Sequence, residues 1–241
     1  LIKNINSKYK YSLLVIPDLL FNKLESKNLN QFLKIEIEED MRLNIDDKWK
    51  SIEDYKNALK TKYRKKIINI QTKSSNIKIN KLKIDDFNIY TDSINDLYNQ
   101  IIVNSKFNGP IFNINTLKCM MKKNIIDLYG YFLNNKLIAF SSEIHNNSNL
   151  YSYYVGFNKI LNKKYSIYGK ILLETISNAI KTNKKQIIYG RTANEFKSNF
   201  GAKAYKSYVY IKIQNKLTYK LYDFYLKKLQ THIWKERSPF K

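Results

Sequence analysis

Cysteine is almost missing from this chain: Cys119 stands alone among 241 residues. That excludes an internal disulfide framework and fits a reducing, cytoplasmic compartment. Histidine is as scarce. His145 and His232 have no partner at metal-ligand spacing, so no metal site is expected. Arginine occupies only four positions, Arg42, Arg64, Arg191 and Arg237, against 39 lysines. No apolar run approaches the ~20 residues of a membrane-spanning helix. The first residues, LIKNINSKYK, lack a starting Met and the apolar core of a signal peptide, which suggests an internal cut in a longer protein.

What the chain does contain is core-forming material. Its residues are 44% hydrophobic and 14% aromatic, which argues for a folded globule. The net charge of +23 points toward polyanions. The lysines are scattered, however, and come with abundant Asn, Ile and Tyr, the composition that an A+T-rich coding sequence gives. Sequence-specific nucleic-acid readout is not supported. Cys119, within LKCMMKK, reads as a buried structural thiol.

Periodicity gives an α+β order. Strands are expected at Lys8–Ile16 and at Phe32–Glu38, where Leu33, Ile35 and Ile37 alternate with charges, extended by Met41–Ile45. A short helix is expected near Leu19–Lys27. Ser51 and Asp54 form a capping pattern for a helix running on through Tyr63, with Lys60–Lys66 as its basic end. There Arg64 is either a solvated residue or an anion contact. Asn76–Lys83 is a strand; Ile89–Asn104 and Asn115–Lys123 are helices, separated by a break at Asn108–Pro110. Three strands follow as an antiparallel meander: Ile126–Leu133, Leu137–Ile144 and Leu150–Phe157. Ser166 caps a helix, Gln186–Tyr189 is a parallel strand reached by that crossover, and Tyr205–Ile213 closes the sheet. Leu217–Leu229 is a terminal amphipathic helix. Residues 1–46 are expected to end a truncated N-terminal half, and 47–241 to form the C-terminal domain.

The most informative stretch is Leu150–Ala202, which holds four of the six glycines: Gly156, Gly169, Gly190 and Gly201. Such a concentration marks backbone that another group approaches closely. Within it, IIYGRTANEFKSNFGA (Ile187–Ala202), with Gly190-Arg191-Thr192, Glu195, Lys197-Ser198 and Gly201-Ala202, resembles the signature of a branch of the GNAT acyltransferase superfamily. This is the BioF2-like, peptidoglycan biosynthesis and recognition branch, related to FemAB. KYRKK near Arg64, YGYFLNNKLIAF and WKERSPF resemble it too. The resemblance implies a GNAT-like, mixed and mostly antiparallel sheet flanked by helices. It also implies two such halves, so the chain would work with the N-terminal half of the same protein.

The same resemblance implies acyl transfer from acyl-CoA to an amine on a small molecule, lipid or cell-wall precursor. Asn162–Gly169 (NKKYSIYG) keeps only the last glycine of the usual pyrophosphate loop. That favours a second reading, aminoacyl transfer from a charged tRNA; a non-catalytic binding module is the third. On physical grounds the start of the helix at Ser166, Tyr168, Gly169 and Lys170, after Lys163 and Lys164, is either an ordinary capped terminus or a phosphate cradle. Backbone N–H groups at Tyr154–Gly156 are candidates for an oxyanion site, with Tyr154, Glu143 and Glu195 for proton handling. Glu143 alternatively faces solvent, and Glu195 alternatively caps a short helix. Arg191, with Lys197 as a weaker companion, either pairs with Glu195 or holds a substrate carboxylate or phosphate.

Overall fold

The computed structural model describes residues 10–17, 32–102, 112–215 and 234–241. The helices expected at Leu19–Lys27 and Leu217–Leu229, and the break at Asn108–Pro110, lie outside these residues. The first described elements are β1 (Leu13–Pro17), β2 (Leu33–Asn44), α1 (Ile52–Ala58), α2 (Thr61–Lys73), β3 (Lys78–Lys81), α3 (Ile84–Ile102) and α4 (Asn115–Lys122). They continue with β4 (Asp127–Leu133), β5 (Lys136–His145), β6 (Asn149–Phe157), α5 (Lys159–Tyr165), α6 (Ile167–Lys181), β7 (Gln186–Gly190), α7 (Asn194–Ser198) and β8 (Lys203–Ile213). Among the described residues no helix is long and apolar enough to cross a membrane.

The chain divides into two compact units. One comprises Leu1–Asp40 and Ala204–Lys235. In it β8 lies between β1 and β2. Leu13 pairs with Ile213 and Pro17 with Val209, which puts the proline on an edge strand where its missing N–H does no harm.

The other unit, Met41–Lys203 with Glu236–Lys241, carries the candidate site. Its sheet runs from the end of β2 through β7, β6, β5 and β4 to β3. Every pairing is antiparallel except β6 with β7, which α6 joins as a crossover. This is the mixed, mostly antiparallel α+β architecture that the resemblance implies. α3 and α4 cover one face, burying Phe87, Ile94, Leu97 and Leu117 against Leu128 and Phe140. α6 covers the other, setting Ile167 and Ile171 against Tyr131 and Ala139. Each such side chain contributes about 1.5–3 kcal/mol on burial.

Local rules account for most of these elements. Ser51 and Asp54 form the expected capping box for α1. That helix does not run on through Tyr63, however. Leu59 is extended (ψ 144°) and bridges to Phe240, Lys60 donates its N–H to the Pro239 carbonyl, and α2 starts afresh at Thr61. The basic run therefore lies at the beginning of a helix, not at its end. Cys119 also departs from expectation. Leu117 and Met121 take the core-facing positions of α4, so Cys119, two residues from each, is exposed.

Candidate active site

The site region begins where β6 and β7 part. They pair only over Asn149–Gln186, Leu150–Ile187 and Tyr151–Ile188, yet β6 continues to Phe157. Beyond Tyr151 the β6 backbone therefore has no ladder partner on the β7 side among the described residues. On its other side the register with β5 shifts between Ser141 and Glu143, leaving a bulge at Tyr153-Tyr154. Ser142 fixes that bulge with one hydroxyl: Oγ accepts from the Tyr154 N–H at 2.7 Å and donates to the Tyr154 carbonyl at 2.8 Å. The Tyr154 ring stacks on Phe112 (3.9 Å between centroids) and meets Tyr98 and Tyr153 edge-on. Burial, then the neighbouring phenols Tyr153 and Tyr98, push the Tyr154 hydroxyl up to about 12. It stays protonated at neutral pH, a hydrogen-bond donor beside an unpaired strand edge.

β7 ends in a turn of unusual backbone. Gly190, Thr192 and Ala193 have φ of 69°, 68° and 51°, the left-handed region that non-glycine residues seldom adopt. Lys197 holds this turn. Its side chain is only 3% exposed, and Nζ donates to the carbonyls of Tyr189 (3.0 Å), Gly190 (3.1 Å) and Arg191 (2.7 Å). Lys197 thus shapes the turn from inside and is not presented to a substrate. Arg191 lies on the exposed side of the turn, and its guanidinium makes no hydrogen bond or ion pair among the described residues. Glu195 is not its partner: the Glu195 carboxylate is bonded by Arg237 Nη2.

A cationic corner adjoins the turn. Three rings cross between the ends of β6 and β7: Phe157 stacks on Tyr168 (5.5 Å), and Tyr168 meets Phe196 at a tilt (5.3 Å). Lys66 lies over Phe196 at 5.7 Å and donates to Asn199 Oδ1 at 3.0 Å. Its ammonium is held below the usual lysine range by burial first and by Arg237 next, with Glu195 opposing. Lys62, Arg64, Lys65 and Lys66 also crowd the first half of α2, which has no acidic residue in its first turn. Positive charge there faces the positive end of the helix dipole. An anion bound at this corner would relieve both strains. Lys66 and Arg237 were not singled out from the sequence; the only hint was their place within KYRKK and WKERSPF.

Other candidates have different roles. Gly156 and Gly169 are packing glycines: a Cβ on Gly156 would meet the α3 backbone at Leu97 and Tyr98 (2.8 Å each), and one on Gly169 would meet Ile70 of α2 at 2.9 Å. Ser166 is left-handed (φ 51°), joins α5 to α6, and makes no side-chain cap. The Tyr168 N–H of that first turn goes to Asn162 Oδ1 at 2.9 Å, so it is not free for a phosphate. Lys163 and Lys164 sit on the exposed face of α5, and Lys170 is half-buried on α6.

Glu143 neither faces solvent nor reaches the splay. It is 1% exposed beneath α6, where Oε2 accepts from Asn178 Nδ2 at 3.1 Å and lies 3.5 Å from His145 Nε2. Burial pushes its carboxyl up, against the His145, Asn178 and Thr175 contacts. A carboxyl raised above its unfolded value of 4.5 binds its proton more tightly in the folded state. Its contribution is then complete below that value and is lost as pH rises through the folded pKa. Glu143→Gln should accordingly raise the urea midpoint at neutral pH, with the gain over wild type vanishing in acid. A variant less stable than wild type at every pH would show that the ionised carboxylate is needed.

No protein-family model matches the chain, and no curated protein does. Solved structures are similar in fold. L-PGS from Bacillus licheniformis superposes with a TM-score of 0.63 at 8% identity, covering 96% of this chain and 76% of its own. FemX gives 0.58 at 11% identity, with 91% and 76% covered. The C-terminal domain of a proposed lysylphosphatidylglycerol synthetase from Agrobacterium fabrum gives 0.54 at 10% identity, over 81% of this chain and 65% of that one. At such identities the likeness is one of fold.

Proposed function

We propose that this chain is a transferase of acyl or aminoacyl groups, with its phosphate-bearing donor at the Lys66–Arg237 corner and its chemistry at the β6–β7 splay. The observation that carries the reading is the junction of the two: an unpaired strand edge beside Tyr154 opens toward a ring stack flanked by crowded cations. In such a reaction a neutral amine attacks the donor carbonyl, the carbonyl oxygen gathers negative charge, and the leaving oxygen or sulfur takes a proton. The protonated Tyr154 hydroxyl and the β6 N–H groups that face the β7 side are donors for that charge, the Tyr154 N–H excepted because Ser142 holds it. Arg191, mounted on the strained turn, is a clamp for a donor phosphate or an acceptor carboxylate.

Of the two donors, a charged tRNA is the better supported. The first turn of α6 is closed by Asn162 and preceded by the extra helix α5, which leaves no open glycine loop for the pyrophosphate of acyl-CoA. One of the fold neighbours is also a synthetase domain named for an aminoacylated lipid. Acyl-CoA with an amine acceptor is the second reading, favoured by the GRTANEFKS turn.

Titrating the intact protein with tRNA and with acetyl-CoA separates them. The expected result is tRNA binding that weakens steeply with salt, with Arg191→Ala lowering the log–log slope by about one. Loss of one charge-assisted contact should reduce kcat/KM roughly 10- to 100-fold. Because Arg191 is exposed, the melting temperature should not move. A calorimetric signal with acetyl-CoA and none with tRNA would favour the second reading; silence with both would exclude the transferase.

A further inference from the structure

Helix α5 has no buried residue, which is unusual for an ordered helix next to a core. Its Ile160 is 82% exposed, more than any other large apolar side chain described. Lys163 and Lys164 follow at three and four residues, so all three lie on one helical face, and both lysines are exposed. The neighbouring helix α2 repeats the arrangement: Ile68 is 47% exposed, and the exposed Lys65 lies one turn before it. The chain around each helix is free of acidic residues in sequence, although Glu195 of the neighbouring turn reaches the Lys66 side of α2. Residues 55–84 contain no Asp or Glu, and neither do residues 144–173.

We propose that the outer faces of α2 and α5 dock this protein on an anionic phospholipid bilayer. Lysine ammonium groups are drawn to acidic headgroups, and their alkyl stems let them lie along an interface without losing water at the charge. Ile160 then enters the boundary between headgroups and acyl chains, the position that an apolar residue on a basic helix takes. A polyribonucleotide would use the same lysines but gains nothing from a solvent-exposed isoleucine, so the apolar residues favour the lipid surface. On α5 the inference does not depend on the transferase reading, since Ile160, Lys163 and Lys164 take no part in that site; Lys65 of α2 is shared with the cationic corner.

Sedimentation of the intact protein with phosphatidylcholine vesicles, with and without phosphatidylglycerol, tests it. Binding is expected only when the acidic lipid is present. Ile160→Glu should weaken it roughly tenfold, and the double change Lys163→Glu with Lys164→Glu at least as much. Ile160→Trp should strengthen it, because indole favours that depth. Melting temperatures should be unchanged, as none of these side chains is buried. Lys122→Glu with Lys123→Glu is the control, two exposed charges at the end of α4, which packs on the opposite face of the sheet. If that control costs as much as the α5 pair, net charge alone is responsible and the docking face is refuted. Equal binding to neutral vesicles would refute it too. So would indifference to Ile160→Glu alongside loss in the lysine pair, the outcome for a polyanion such as RNA.

Discussion

Lys197→Met should be the most damaging single change in the site region, costing about 2–4 kcal/mol in urea denaturation. Methionine matches the length of the stem but offers no donors. The carbonyls of Tyr189, Gly190 and Arg191, which now share one ammonium at 2.7–3.1 Å, would be left facing a buried apolar group. An unsatisfied buried carbonyl costs about 1–3 kcal/mol. Part of that is offset because a charge no longer has to be desolvated. A second consequence separates this from ordinary core damage. The left-handed residues Gly190, Thr192 and Ala193 are held against their own preference, so the turn should relax and misplace Arg191. Donor affinity is expected to fall even at temperatures where the variant is folded. If the urea midpoint matched wild type, the three bonds would be worth no more than the desolvation they require.

Gly156→Ala should come next, at about 3 kcal/mol, although it adds only a methyl group. The added Cβ would stand 2.8 Å from backbone atoms of both Leu97 and Tyr98, as well as against the Phe140 ring. A ring can turn aside. A helix backbone cannot move locally, so α3 as a whole would have to lift from β6. Tyr154, two residues away and packed on Tyr98, would shift with it. Both thermal stability and turnover should fall, with the donor corner left intact. Gly190→Ala is the contrast: nothing lies within 4 Å of a Cβ there, and only the φ of 69° opposes it, worth about 1–2 kcal/mol. If the two alanine variants melted together, backbone crowding at Gly156 would not be the cause.

Elements whose stability is local could be read from the sequence. The capping box at Ser51, the strict alternation in β2, the Asn134-Asn135 turn and the apolar face of α6 each follow from residues within a few positions of one another. What escaped depends on distant chain segments. Leu59 leaves the helix because Phe240 pairs with it, and Glu195 turns from Arg191 because Arg237 reaches it first. The glycines were legible as places of close approach, but not what approaches: for Gly156 and Gly169 it is another helix. Lys197 could not be told from 38 other lysines, because nothing in its neighbours announces a buried ammonium. α5 was missed because Asn158-Lys159 follows a strand without an apolar period, while Asn158 supplies the cap through its side chain.

The segment Glu236–Lys241 belongs to the unit that begins at Met41. Phe240 packs with Trp49 and Tyr55 and fills the space a side chain at Gly201 would need. Lys241 donates to Ala58, and Arg237 reaches Glu195 from the same segment. During synthesis on the ribosome this has a temporal meaning. Strands and helices from Met41 onward are translated with their hydrophobic pocket still open, and that pocket closes only once residue 240 has left the exit tunnel. The cationic corner is therefore completed last. A nascent chain stalled a few codons earlier would hold most of the fold and Lys66, but not Arg237 on Glu195.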